Sequence, residues 1–177
     1  RYEVRHDRWQ DVTIEVYHHP GHDINVERMI RGAQASLEYG ARHFGRYPLR
    51  ELRIAEFPRY TRDAQAFAGL IPFSESAAFI ARVDPDAAQD IDYPFYASAR
   101  ETARQWWGHQ LAGADTRGAA LLGPSVAEYT ALMAVQRAVG RERMRRFLRH
   151  DLDAYLLGRA QEPARELPLA HSENQPY

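Results

Sequence analysis

The sequence contains no cysteine and no lysine, and its 23 basic residues are all arginine, set against 24 acidic ones. Without cysteine there is no disulfide framework, no thiol nucleophile and no thiolate-ligated zinc. That absence suits a reducing or an oxidising compartment equally. A net charge of −1 leaves no basic excess to neutralise a run of phosphates, which argues against a nucleic-acid partner. No apolar run reaches the roughly 20 residues that a membrane-spanning helix needs, so direct membrane contact is not expected, and no signal-peptide pattern is visible. Because it opens on Arg1 and not on methionine, we expect the chain to be a piece of a longer protein. What is present, 177 residues of ordinary globular composition, suits one domain.

Val12, Ile14 and Val16 alternate with polar neighbours over Asp11–Tyr17, a period of two that predicts a half-buried strand. His18-His-Pro-Gly-His22 breaks it with turn residues. Asn25 stands at an N-cap position ahead of Val26, Met29, Ile30, Ala33, Leu37, Ala41 and Phe44 at helical spacing, with Gly45 and Pro48 as stop signals. Leu52–Phe57 predicts a second strand. Gly69–Ser76 and Ala78–Ala81 predict one or two more, with Pro72 placing the first at a sheet edge. Helical patterning follows over Phe95–Leu111, Pro124–Val139 and Glu142–Leu157, Pro124 suiting a first turn. The expected class is α+β: one domain over 1–177, with 1–93 mainly sheet plus one long helix and 94–177 mainly helical.

The informative stretch is Arg100-Glu-Thr-Ala-Arg-Gln-Trp-Trp-Gly-His-Gln110. An H-E-x-x-H helical turn holds zinc through two histidines on one face, with the glutamate as general base. Here the frame and Glu101 persist, but both histidine positions are arginine, Arg100 and Arg104. The residues around it make the frame specific: Gln105–Gln110, then Gly113-Ala-Asp115, Leu121-Leu and Ala127-Glu-Tyr129. So do Tyr17-His-His-Pro, Arg53-Ile-Ala-Glu-Phe-Pro-Arg-Tyr60, Ile71-Pro-Phe-Ser-Glu75, Tyr155-Leu-Leu-Gly-Arg159 and Asn174-Gln-Pro-Tyr177. Together they resemble the aminopeptidase-N-type gluzincin zinc peptidases, in particular the branch fused to, or encoded with, ABC-transporter permeases. The resemblance runs from about Trp9 to Tyr177.

It implies a partial thermolysin-like catalytic domain, a small N-terminal sheet followed by helices. Carried over position by position, it places the family's zinc histidines on Arg100 and Arg104 and its third ligand, a glutamate, on Pro124. The general base falls on Glu101 and is retained. The family's substrate-binding strand falls near Ala64–Ala68, with Ala66 where a glutamate would recognise the substrate amino group. A guanidinium offers donors only and proline offers no side-chain ligand atom, so neither can hold zinc. No metal and no cofactor are therefore expected at these positions, and Glu101 has no zinc-bound water to deprotonate.

Two readings of Arg100 and Arg104 stay open: solvated or carboxylate-paired replacements at a dead site, or two positive charges standing where a dication sat. In the second they pair with Glu101, Glu128 or a bound anion. His109 reads as structural, His18, His19 and His22 as a surface turn, and Trp106 and Trp107 as packing. The expectation is a metallopeptidase-like domain that has lost its zinc ligands. It would serve as a non-catalytic peptide-binding, scaffolding or regulatory part of a transporter-associated membrane protein, on the extracytoplasmic side. A peptide could pair with backbone groups at Ala66, Phe67, Ala68 and Gly69 without zinc, and a membrane transporter subunit is the other expected partner. The alternative is a zinc-dependent aminopeptidase with a rebuilt metal site.

Overall fold

The structure, a computed structural model, describes residues 1–59, 64–84, 87, 90–111, 113, 118–161 and 168. Strands β1 (Glu3–Trp9) and β2 (Val12–His18) pair antiparallel across a two-residue turn in which Gln10 takes φ 50°. Strand β1 carries no apolar period and is exposed along most of its length, which is why the sequence pattern does not reveal it. Strand β2 buries Val12, Ile14, Val16 and His18 on one face. Helix α1 (Val26–His43) crosses over to β3 (Glu51–Phe57), which pairs parallel with β2, and β4 (Leu70–Ser74) pairs parallel with β3. The order is β1-β2-β3-β4. Strand β4 is terminal in that order, the position Pro72 requires, and Ala64 and Phe67 make antiparallel bridges to its outer edge.

Two expectations are corrected. Ala78–Ala81 is not a strand, because Glu75–Phe79 wind into a π-helical turn that buries Ala78 and Phe79. Asn25 explains it. Asn25 sits at the N-cap of α1 but does not cap it; its buried amide donates to the carbonyls of Ala78 and Ala81, each at 2.7 Å, and so holds that turn. The second correction is that helix α2 spans Tyr93–Ala103 and stops well short of Leu111. Past it, the two indoles part: Trp106 Nε1 donates to Gly45 O (3.0 Å) and Trp107 Nε1 to Thr130 Oγ1 (3.1 Å), and Gly108 turns the chain with φ 125°. Helices α3 (Pro124–Val139) and α4 (Arg141–Gln161) follow, with Gly140 between them.

A first core joins Ile14, Val16, Ile54 and Phe73 of the sheet to Met29, Ile30 and Leu37 of α1, and takes in Trp106. A second joins Phe95, Tyr96 and Ala99 of α2 to Ala131 and Val135 of α3 and to Met144 and Phe147 of α4. The fold is thus α+β, a four-stranded sheet followed by helices. No helix among the described residues is long and apolar enough to cross a membrane.

Candidate functional site

Helix α2 is started by Asp92, whose carboxylate accepts from Phe95 N (3.2 Å) and is held by Arg28 at 2.8 Å. Eight residues on, the R-E-x-x-R turn begins, and its glutamate faces inward. Glu101 is 0 % exposed. Its Oε1 accepts from Arg100 Nε at 2.9 Å. Its Oε2 accepts from the Ala66 backbone N–H at 3.1 Å and lies 3.3 Å from Arg104 Nε, a charge contact outside hydrogen-bond alignment. Arg100 reaches further, its Nη1 standing 3.9 Å from Glu128 Oε2 on α3. The other oxygen of Glu128 accepts from the Tyr96 hydroxyl. Burial, and secondarily the negative charge of Asp151, push the Glu128 carboxyl up to about 7.

Both arginines therefore turn toward carboxylates. The structure brings Arg100, Glu101 and Arg104 together with Glu128, and Tyr96 joins them although its position in the sequence gives no signal of it. Pro124 begins α3 on an exposed first turn, behind Gly123 at the N-cap. His109 Nε2 bonds the Ala66 carbonyl at 3.0 Å and joins no cluster of metal-ligating side chains among the described residues.

The segment expected to receive a peptide is largely occupied by the chain itself. Ala66 gives its N–H to Glu101 and its carbonyl to His109. Phe67 exchanges backbone hydrogen bonds with Leu70, and its carbonyl also accepts from Gln105 Nε2 (2.9 Å). Gly69 donates to Gln105 Oε1 (2.9 Å), and its carbonyl accepts from Arg53 N. Ala68 is exposed between them. Glu101, Gln105 and His109, four residues apart, thus staple one strand-like segment to the end of α2. Strand addition at Ala66, Phe67 and Gly69 would have to break these bonds first.

No protein-family model matches the chain, and no curated protein matches it. What the cluster can do therefore rests on its chemistry. Arginine side chains carry donors and no lone pair for a metal, and both oxygens of Glu101 are engaged by the chain's own donors. Two guanidiniums and one backbone amide hold Glu101 in place.

A second cluster lies at the carboxyl ends of β2 and β3. Glu56 continues the inward phase of Leu52 and Ile54 and is 2 % exposed. Its Oε1 is 2.5 Å from His22 Nδ1, and its Oε2 accepts from the His19 backbone N–H (2.5 Å) and lies 3.2 Å from His19 Nδ1. His18 is buried, with its Nδ1 3.1 Å from the His19 carbonyl. Of the three histidines read as a surface turn, His19 and His22 are therefore gathered around a buried carboxylate, while His18 is itself buried. Reading the histidine turn alone misses Glu56, although a charged residue in the apolar phase of a strand is itself a signal.

Proposed function

We propose that this chain is a peptidase-derived scaffold domain without hydrolytic chemistry, a structural or regulatory part of a transporter-associated membrane protein on its extracytoplasmic side. The observation that carries the non-catalytic reading is Glu101, fully buried between Arg100, Arg104 and the Ala66 amide. A zinc peptidase needs its base aimed at a metal-bound water in a site with an open position. Here the metal's charge is replaced by two cations of the chain, and the base is spent on structure. The link to a transporter rests on the resemblance in sequence. Strand addition of a peptide at Ala66–Gly69 is not part of this proposal, because the backbone groups of Ala66, Phe67 and Gly69 already serve the fold.

The test is hydrolysis of peptide and aminoacyl substrates, with and without chelator, together with zinc content. Both are measured in a His22→Ala background, which removes the separate histidine pair. We expect no cleavage, and no zinc retained through gel filtration. Chelator-sensitive cleavage that Glu101→Gln abolishes would establish a working metallopeptidase with rebuilt ligands and overturn the proposal.

A further inference from the structure

We propose that His19, His22 and Glu56 form a binding site for a single divalent metal ion of the zinc class, with an open coordination position. The site shares no residue with the Arg100–Glu101–Arg104 cluster and is built on different elements.

The first argument is the company Glu56 keeps. A carboxylate taken out of water needs polar partners, and among the described residues the side-chain groups within 4 Å of it are the ring nitrogens of His19 and His22. In a chain with 23 arginines, a fully buried carboxylate faced by two imidazoles is an arrangement of ligand types. Nitrogen and oxygen donors of this kind suit zinc and its first-row neighbours, whereas calcium and magnesium prefer oxygen alone.

The second argument is geometry. One ligand atom from each of the three residues falls within 4.8 Å of the other two. In a tetrahedral zinc site with bonds of about 2.0–2.2 Å, neighbouring ligand atoms stand roughly 3.3 Å apart. His19 Nδ1 and Glu56 Oε2 are already 3.2 Å apart. The 2.5 Å contact between His22 Nδ1 and Glu56 Oε1 opens with a small outward shift of a ring that is 30 % exposed.

The third argument is support. Glu56 is fixed by its place in β3, by the His19 N–H on one carboxylate oxygen and by the Tyr2 hydroxyl on its own carbonyl at 2.8 Å. The Tyr2 ring lies against the His19 ring, centroids 4.7 Å apart. Such outer contacts orient ligands and raise affinity. The side chains of His19 and His22 are 38 % and 30 % exposed while Glu56 is wholly covered, so the remaining coordination position faces solvent. Three protein ligands with a fourth place open is the arrangement of a reactive zinc rather than of a closed structural one.

The metal-stripped 177-residue chain is titrated with zinc alone by calorimetry, and bound metal is counted after gel filtration. We expect one zinc per chain. His22→Ala and Glu56→Gln should each weaken binding by at least about tenfold, while His109→Ala and His150→Ala leave it unchanged. Circular dichroism checks folding. Should Glu56→Gln fail to fold, His19→Ala and His22→Ala decide alone, since both change partly exposed rings. The proposal is overturned by a chain that binds no stoichiometric zinc, or by zinc binding that survives the His19 and His22 substitutions undiminished. Neither result bears on the Glu101 cluster, whose test is run without His22.

Discussion

Glu101 and Glu56 are carboxylates drawn out of water, Glu128 is one only partly covered, and each meets different company. Each of the first two accepts from a backbone amide, but Glu101 has two guanidiniums beside it and Glu56 has two imidazoles. Glu128 has the Tyr96 hydroxyl and only a distant Arg100, with Asp151 adding a like charge. Burial, with Asp151 adding a like charge, raises Glu128 to about 7 from an ordinary 4.5. Between those values the folded chain holds a proton that the unfolded chain has released. The contribution of Glu128 to stability is therefore fullest at low pH and is lost as pH rises through about 7. Thermal melts of the parent and Glu128→Gln across about pH 5 to about pH 8 should show the variant gaining on the parent as pH rises. A gap that does not change with pH would refute the shift.

At this scale the sequence is legible where chemistry is local. Arg100, Glu101 and Arg104 lie within one helical turn, so their spacing alone places them on a common frame. Glu56 meets His19 and His22 from 37 and 34 residues away. No spacing rule joins them, and only its phase with Leu52 and Ile54 marks it as inward.

At the scale of elements, the site is set by how closely α1 and α2 approach. A Cβ at Gly32 would stand 2.2 Å from the Phe95 carbonyl oxygen, and one at Gly40 would stand 2.7 Å from the Trp106 indole. Two glycines on α1 thus let α2 and Trp106 lie directly against it, and α2 carries Glu101. Gly32→Ala forces the helices apart and should cost about 1–3 kcal/mol. Gly158→Ala on α4 meets nothing within 4 Å and should be neutral or slightly stabilising through helix propensity. Denaturant titration of both checks the pair, and equal stabilities would remove close approach as the reason for Gly32. The same approach explains why α2 is shorter than its hydrophobic pattern. Periodicity through Leu111 cannot show that Trp106 leaves the helix to fill the space beside Gly40. Nor can it show that Asn25, a good cap by residue type, is committed to carbonyls 53 and 56 residues away. Helix α3, bounded by Pro124 and Gly140, starts and stops with its own signals and is read correctly end to end.

At the scale of the molecule, α2 belongs to both cores. Ala97 packs into the sheet core, and Phe95, Tyr96 and Ala99 into the helical one. Glu101, Gln105 and His109 then tie the end of α2 back to the segment beside β4. Sheet and helices should therefore unfold as one unit, even though they fall in separate halves of the sequence. Phe147 tests this from the far side. It is 3 % exposed and lies against Tyr96 with ring centroids 4.6 Å apart, so Phe147→Ala should cost about 3–5 kcal/mol. Tryptophan fluorescence, with Trp106 in the sheet core and Trp107 packed against it, reports the first core, and far-ultraviolet circular dichroism reports the helices. With α2 shared, both signals should shift to lower denaturant together and by the same amount. If the dichroism midpoint falls while the fluorescence midpoint stays in place, the two cores are independent. The Arg100–Glu101–Arg104 cluster would then be a feature of one half and not the joint between them.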